Sequence, residues 1–373
     1  MRKLASIIGT VAIAAGLGNA PSWALQVGSG IVDNTVFVDP EFGSDSASCG
    51  GDDLWGNGSP VQGNYQSTGP CQSLNQALAN LPSSGGNVII TRPGVFGPII
   101  LTAGVSITGP EPSAIIDWRT DTVPGCLTGV SCNGGGGATY AVDIQAPGAT
   151  VKFKNLIINA NGGATAAVHV GSATGVSFTA TSLRCGSGSS VPEMLLVDSS
   201  QGSQLQLYVH NSDFAFCQGG GGVVLSPTGA TPIRMDFNNS EVHNAVFGLQ
   251  ANASELTGSG NNILIIVEST QFFSFNNSAI SVTAPSASNQ GNFLVTRSDI
   301  GNTGGAGIKL NGAGAQSAIY EAAILGNPTG INLVNGASMA TYQNNVLIGN
   351  NNNCEVSNVP TPCSSALSPQ PLD

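Results

Sequence analysis

The sequence predicts an all-β fold in which many short strands stack as a solenoid. Gly contributes 51 of the 373 residues and charged residues make up only 8%, a composition that excludes a charge-rich disordered chain and a coiled coil. Alternating strand-like segments recur along most of the chain. Stretches of good helix formers are scarce, which argues against a helical bundle and against a parallel sheet wrapped in helices.

The first residues are typical of an exported protein. Two basic residues precede an apolar stretch at 4–17, and small residues flank the expected cleavage point after Ala24. This apolar stretch is shorter than the roughly 20 residues that a spanning helix needs. We therefore predict a signal peptide at 1–24 and a secreted or periplasmic protein without a transmembrane segment.

All eight cysteines follow the expected cleavage point. An even number of cysteines in an exported chain favours disulfide bonds. A zinc site is not indicated, because the sequence has no CxxC pair and no histidine at ligand spacing from the cysteines. Proximity along the chain predicts four bonds, namely Cys49 with Cys71, Cys126 with Cys132, Cys185 with Cys217, and Cys354 with Cys363.

Residues 25–86 are expected to form an N-terminal cap. They are irregular and rich in Gly, Ser and Asp, apart from a strand-like run at 34–39. A short amphipathic helix is predicted at the end of this segment, because apolar residues recur at spacings of three and four after Leu74. Ser73 can serve as its N-cap, and Pro82 stops it.

Residues 87–353 carry a repeat of two or three short strands per unit. Each unit contains an apolar anchor, and these anchors are 22 to 31 residues apart: Leu156, Leu183, Phe214, Val242, Phe272, Ile300, Ile324 and Val346. A single unit cannot bury its inward side chains, whereas units stacked in parallel at about 4.8 Å form a continuous core. Hairpin turns of the Asn-Gly type are scarce, which argues against a sandwich. Residues 354–373 are expected to form a disulfide loop and a disordered tail.

The N-terminal segments 36–45, 69–74, 86–96 and 99–109 resemble the entry to a right-handed parallel β-helix of the pectin-lyase-like superfamily. In such proteins a disulfide-tied loop and an amphipathic helix cover the first coil. The resemblance covers roughly 34–353, and it is strongest to small exported bacterial right-handed β-helix proteins of unknown function. It implies the fold far more strongly than an activity.

The resemblance does not supply an active site. Pectate lyases of this superfamily need calcium-binding carboxylates and an Arg base. Its polygalacturonases need Asn-Thr-Asp, Asp-Asp, Gly-His-Gly and Arg-Ile-Lys motifs on the coils, and none of these is present. The leading interpretation is a non-catalytic scaffold that binds polysaccharide or a cell-envelope glycan. The alternatives are a polysaccharide lyase or glycoside hydrolase with a divergent site, and a surface adhesin.

Charge limits the partners further. The formal net charge is -11, and no basic cluster is present to neutralise phosphates, so a nucleic acid is not an expected partner. We expect a monomer.

Aligning the units on their anchors places one polar position of each unit in a single row: Asn155, Ser182, Asp213, Glu241, Gln271, Asp299, Ala323 and Asn345. The stacked carboxylates of Asp213 and Glu241 could hold a hard cation such as calcium, or do acid and base work on a glycan. Asp213, Glu241, Asp299 and the nearby Arg297 are therefore the catalytic candidates. The alternatives are a row that merely faces solvent and an arginine that pairs with neighbouring acids. No cofactor other than calcium is indicated.

Tyr208, Tyr320 and Tyr342 lie on the strands that lead to the anchors and are the binding candidates. A tyrosine ring offers a flat apolar face and a polar edge, which suits stacking on a sugar. The alternative is packing in the core. His210 and His243 fall on different phases relative to their anchors, so a metal-binding pair is not predicted, and each is expected to be an ordinary solvent-facing residue.

Overall fold

The computed structural model describes residues 34–51, 69–111, 113–118, 139–160, 164–185, 192–217, 219–258, 260–342, 344–357, 359–361, 363 and 367–369. The expected signal peptide and the expected bond between Cys126 and Cys132 lie outside these residues. The described part of the chain is a right-handed parallel β-helix with one short helix at its N-terminal end, which confirms the predicted fold class. No helix within it is long and apolar enough to cross a bilayer.

Three sheets run along the β-helix, and a typical coil contributes one strand to each. Sheet A contains β1 (Thr35–Val38), β2 (Gly86–Ile90), β5 (Val105–Thr108), β8 (Thr150–Lys154), β11 (Gly175–Thr179), β14 (Leu205–His210), β17 (Ile233–Asn238), β20 (Asn262–Glu268), β23 (Gln290–Thr296), β26 (Ala315–Tyr320), β29 (Ser338–Thr341) and β33 (Ser368–Pro369).

Sheet B contains β3 (Val95–Phe96), β6 (Ala114–Asp117), β9 (Leu156–Asn159), β12 (Ser182–Arg184), β15 (Asp213–Cys217), β18 (Glu241–Ala245), β21 (Gln271–Phe275), β24 (Asp299–Thr303), β27 (Ala323–Leu325) and β30 (Val346–Ile348).

Sheet C contains β4 (Ile99–Leu101), β7 (Tyr140–Gln145), β10 (Ala166–Ser172), β13 (Glu193–Val197), β16 (Gly221–Leu225), β19 (Leu249–Asn252), β22 (Ile280–Thr283), β25 (Ala306–Asn311), β28 (Thr329–Val334), β31 (Asn352–Val356) and β32 (Val359–Pro360). Among the described strands every pairing is parallel except that of β31 with β32.

Alternating apolar residues fill the interior of the coils. A column of five buried phenylalanines runs through the middle of the core, with neighbouring ring centroids 5.4 to 6.1 Å apart: Phe153, Phe178, Phe214, Phe237 and Phe272. Each such aromatic contact adds about 0.5 to 1.5 kcal/mol to the free energy of burial. The column therefore stabilises the same coils that carry the polar row of sheet B.

A ladder of buried hydroxyls sets the register where each coil enters sheet B. Ser212 Oγ accepts the backbone N–H of Thr181 at 3.2 Å, and Ser240 Oγ accepts that of Ser212 at 3.2 Å. On the next two coils, Thr270 Oγ1 accepts the backbone N–H of Ser240 at 3.4 Å, and Ser298 Oγ accepts that of Thr270 at 3.1 Å. Because each hydroxyl directly precedes a strand of sheet B, the ladder aligns the first residues of those strands.

The N-terminal cap has the predicted helix. The helix α1 (Leu74–Asn80) begins after Ser73, whose hydroxyl accepts the backbone N–H of Gln76 at 3.2 Å. The Asn80 amide donates to the backbone oxygen of Cys49 at 2.9 Å, and Cys49 is bonded to Cys71. The helix and the disulfide loop are therefore tied together. Cys185 with Cys217 and Cys354 with Cys363 are bonded as well, which gives three of the four expected pairs.

The predicted row is wrong at both of its ends. Leu183 pairs with Ile158 rather than Leu156, so Ser182 lies beside Ile157 and not beside Asn155. Leu156 and Ile158 are two residues apart and both fully buried, so either can be taken as the anchor. An alignment based on apolar positions alone can therefore be wrong by two residues.

At the other end, Ala323 pairs with Val346 and Ile324 with Leu347. Ile319 pairs with Thr341, and three residues separate Ile319 from β27 whereas four separate Thr341 from β30. Asn345 therefore takes the place of Ala322, whose backbone N–H it accepts at 2.9 Å. Val346 is consequently 49% exposed and is not an anchor.

The C-terminal boundary and the predicted disordered tail also need correction. Strand β31 continues sheet C to Val356, so the coils extend beyond residue 353. Leu367 is buried, and Ser368–Pro369 pairs with Ala340 and Thr341 of sheet A. The prediction of disorder is wrong for 367–369, because Leu367 covers apolar surface at the last coil.

Candidate functional site

The polar row on the outer face of sheet B has the predicted order over its central coils. Asp213 pairs with Glu241, Glu241 with Gln271, and Gln271 with Asp299. Strands in a sheet are about 4.8 Å apart. Asp213 and Glu241 are therefore neighbours, whereas Asp299 lies three strands, or about 14 Å, from Asp213.

A histidine joins the two neighbouring carboxylates. His243 Nε2 lies 2.9 Å from Asp213 Oδ1 and 4.0 Å from Glu241 Oε2. Its side chain is only 12% exposed, so the expectation that His243 is an ordinary solvent-facing residue is wrong. The reason is that His243 pairs with Ala215, which leaves room for the imidazole to reach back to Asp213. One ligand atom from each of Asp213, Glu241 and His243 lies within 4.8 Å of the others.

Aromatic rings fix the orientation of His243. The ring of Phe273, on the next coil, stacks on the imidazole at 4.7 Å with an interplanar angle of 4°. Phe216, on the preceding coil, meets it edge-on at 5.6 Å. His243 Nδ1 lies 2.8 Å from the amide nitrogen of Asn244. We call Phe216, His243 and Phe273 the aromatic strip.

Phe216 has an unusual backbone conformation. Its φ angle is 61°, in the left-handed region, and its ring is 49% exposed. On the following three coils the residue at this point of sheet B is Asn244, Ser274 or Asn302, each also with positive φ. Asparagine tolerates this region, whereas a bulky aromatic residue there is strained. In this conformation the exposed Phe216 ring makes its edge-on contact with His243.

A shallow slot opens beside the aromatic strip. Gly301 lies in register between Phe273 and Leu325, and its lack of a side chain leaves a depression of about 250 Å³ on the outer face. Asp299 and Asn302, both exposed, are among the residues that line it. A Cβ at position 301 would lie 2.4 Å from the Leu325 backbone oxygen, so the local packing requires glycine. We call this depression the Gly301 slot.

Arg297 does not join the carboxylates. It lies in the corner after β23 with a φ of 47°, and its guanidinium pairs with the Glu268 carboxylate at the end of β20. Its side chain is 58% exposed. This geometry favours the ion-pair interpretation of Arg297 over the catalytic one.

The three candidate tyrosines do not form one surface. Tyr208 lies on β14 of sheet A and donates its hydroxyl to Gln206 Oε1 at 2.6 Å. Tyr320, at the end of β26, and Tyr342 meet edge-on at 6.1 Å. Because β26 is four strands from β14 in sheet A, the pair is about 19 Å from Tyr208.

Sheet C carries a second cluster that sequence reasoning missed. His169 is buried, and its Nδ1 and Nε2 each lie 2.8 Å from a carboxylate, of Asp143 and Asp198 respectively. Tyr140 stacks on the ring at 4.1 Å. Burial alone would lower the pKa of His169, but the two carboxylates raise it to about 9. The only indication of this cluster in the sequence is that His169 lies between Val168 and Val170, which are buried in the structure.

Glu193, also on sheet C, is a second residue that the sequence did not single out. Its Oε2 is buried without a hydrogen-bond partner, and burial raises the pKa of the carboxyl to about 7 despite a backbone hydrogen bond from Gly221. A Cβ at position 221 would lie 2.2 Å from that oxygen and 2.0 Å from the Phe247 ring. Glycine is therefore required for Glu193 to fit.

Comparisons with known proteins give similarity to solved structures only, at low sequence identity. No protein-family model matches the sequence, and the search of curated proteins gives no match. Two similar solved structures are the Dettilon tailspike protein (12% identity, 74% of this chain, 57% of that chain, TM-score 0.37) and pectate lyase Pel9A (12% identity, 88% of this chain, 78% of that chain, TM-score 0.33). The chain thus spans little more than half the length of the tailspike chain.

Proposed function

We propose that this protein is an exported, non-catalytic β-helix scaffold that binds polysaccharide on the outer face of sheet B. The observation that carries the proposal is the Gly301 slot, in which an aromatic wall and a carboxylate rim lie on adjacent coils. Phe273 supplies an apolar ring face, and Asp299 and Asn302 supply hydrogen-bonding groups at the edge.

The size and chemistry of the slot suit one sugar ring. At about 30 Å³ per water molecule, the slot has room for about eight waters, which is comparable to a single pyranose. A pyranose has an apolar face that stacks on an aromatic ring and hydroxyls that bond to carboxylates and amides. The coils repeat at about 4.8 Å, a distance comparable to one sugar residue along an extended chain, so the polar row can follow a polymer.

The exposure of the carboxylates to solvent favours binding over cleavage. The side chains of Asp213 and Glu241 are 39% and 52% exposed, so both carboxylates remain hydrated. Asp299 lies about 14 Å from Asp213, and Arg297 is paired with Glu268. Asp213 and Glu241 are therefore neighbours, but Asp299 and Arg297 do not join them.

The test is size-exclusion chromatography of the mature protein with pectic, bacterial and plant polysaccharides. We expect co-elution with at least one polymer and no shortening of any. Phe273→Ala and Asp299→Asn should each weaken binding by about tenfold, since each removes one side of the slot. The matched control is Tyr320→Ala on sheet A, which should bind as the parent protein does.

The opposite outcomes are informative. Loss of binding in Tyr320→Ala with retention in Phe273→Ala would move the binding surface to the tyrosines of sheet A. Shortening of a polymer would overturn the non-catalytic half of the proposal. In that case the double variant Asp213→Asn with Glu241→Gln tests whether the stacked carboxylates carry the activity.

A further inference from the structure

We propose that Asp213, Glu241 and His243 form a binding site for a divalent transition-metal ion of the zinc type. The site lies on β15 and β18, whereas the Gly301 slot lies on β21, β24 and β27. It does not depend on polysaccharide binding, and it differs from a calcium site in having an imidazole among its ligands.

The positions of the donors are close to those that a metal ion requires. Zinc bonds of about 2.0 to 2.2 Å at tetrahedral angles place neighbouring donors about 3.3 to 3.6 Å apart. His243 Nε2 lies 2.9 Å from Asp213 Oδ1 and 4.0 Å from Glu241 Oε2, so the two distances fall just below and just above this range. Side-chain shifts of about 0.5 Å bring both distances into it.

Neighbouring groups hold two of the three ligands in place. The second oxygen of Asp213 accepts a hydrogen bond from the Ser182 hydroxyl at 3.4 Å, which in turn accepts one from Arg184 Nε at 2.9 Å. This leaves Oδ1 directed at His243. The imidazole is held by Phe273 on one face and by Phe216 at its edge. Outer partners of this kind orient metal ligands and raise affinity.

The choice of metal follows from the donor set. Calcium and magnesium take oxygen ligands, whereas imidazole favours zinc and other late first-row ions. Three protein ligands leave a fourth position of a tetrahedral ion for water or a bound group. Because the cluster is on the outer face of sheet B, that fourth position faces outward.

The Asn244 amide is the one partner that must rearrange. Its nitrogen lies 2.8 Å from His243 Nδ1, so the amide donates, and Nε2 carries the proton that faces Asp213. A metal ion on Nε2 requires this proton to leave and Nδ1 to become the protonated nitrogen. The Asn244 side chain must then turn so that its oxygen accepts from Nδ1. An aspartate at 244 would accept the hydrogen bond from Nδ1–H without turning.

The experiment is isothermal titration calorimetry of chelator-treated mature protein with zinc chloride alone, and in parallel with calcium chloride. We expect one zinc ion per chain and calcium binding at least tenfold weaker. His243→Gln should weaken zinc binding at least tenfold, and the matched control His210→Gln, which removes a histidine from sheet A, should leave it unchanged. Asn244→Asp should strengthen zinc binding by about tenfold.

Weaker zinc binding in His243→Gln could also result from misfolding. The gain in zinc affinity expected for Asn244→Asp could not, because a misfolded protein does not bind zinc more tightly. Zinc affinity unchanged in His243→Gln, or lost in His210→Gln, overturns the site. Calcium binding as tight as zinc overturns the assignment of the metal class. A gain in Asn244→Asp that is equal for zinc and calcium reflects added charge alone and counts against the imidazole ligand.

Discussion

Two histidines of this β-helix lie beside carboxylates on the outer faces of different sheets, and they differ in how many carboxylates contact them. His169 on sheet C has a carboxylate 2.8 Å from each ring nitrogen, whereas His243 on sheet B has one close carboxylate and one amide. Their side chains are 8% and 12% exposed, so burial does not separate them. The number of carboxylates does, because a carboxylate contacts each nitrogen of His169, whereas one nitrogen of His243 contacts a neutral amide.

The consequence is a difference in role. His169 links β7 to the end of β13 as a charged bridge, since the two carboxylates raise its pKa to about 9 and it is protonated at neutral pH. His243 retains a nitrogen whose only charged contacts are ligands that a metal ion could share. The first cluster is suited to stability and the second to binding.

The largest expected effect comes from breaking the His169 bridge. A pKa raised from 6.5 to about 9 corresponds to about 3 kcal/mol. Because the folded-state pKa is the higher one, this stabilisation is fully present below pH 6.5 and is lost as pH rises through 9. We expect His169→Gln to lower the free energy of unfolding by about 3 kcal/mol at pH 6 and by much less at pH 9.5, measured by urea unfolding.

The matched substitution is His243→Gln in metal-free buffer. It should cost less than half as much at pH 6, because only one carboxylate is within 3 Å of this ring. Equal losses in the two variants would contradict the distinction between the clusters.

An effect of similar size, but in the direction of higher stability, is expected from substituting Glu193, whose carboxyl is buried without a charged partner. Burial raises the pKa of this carboxyl from 4.5 to about 7, and the backbone N–H of Gly221 only partly opposes the shift. The native state therefore loses stability as pH rises from 4.5 through 7, since ionisation is disfavoured in the folded protein. Glu193→Gln should be more stable than the parent protein by about 3 kcal/mol at pH 8 and about equally stable at pH 4.5.

Thermal unfolding across this pH range measures the difference. The exposed Glu255 provides the control, because Glu255→Gln should change the free energy of unfolding by less than about 0.5 kcal/mol at either pH. A Glu193→Gln variant with the pH profile of the parent protein would show that Glu193 is ionised in the folded state.

The sequence predicted the fold and the centre of the polar row for the same reason. Apolar alternation recurs in every coil, and the corners before β15, β18, β21 and β24 have equal length, so Asp213, Glu241, Gln271 and Asp299 align without knowledge of the structure. Where the corner lengthens before β30, the alignment fails. The equal length of these corners is therefore the reason that the polar row could be aligned correctly from the sequence.

The histidine clusters could not be predicted in this way. His169 meets Asp143 and Asp198 over 26 and 29 residues, and Asp198 lies just beyond the end of β13, so no fixed spacing marks the contact. His243 reaches a carboxylate on the preceding coil through its side-chain conformation. Neither the direction of a side chain nor the burial of Glu193 follows from a pattern of apolar positions.

The smallest effect concerns Phe216, at the edge of the His243 cluster. A left-handed backbone costs a bulky residue about 1 to 2 kcal/mol, and the same point on the next coil carries an asparagine. Phe216→Asn should therefore raise the free energy of unfolding by about 1 kcal/mol, as measured by urea unfolding. Asn302→Ala, at the equivalent point, should instead destabilise. A Phe216→Asn variant that is less stable than the parent would mean that the ring contacts with His243 and Arg184 outweigh the backbone strain.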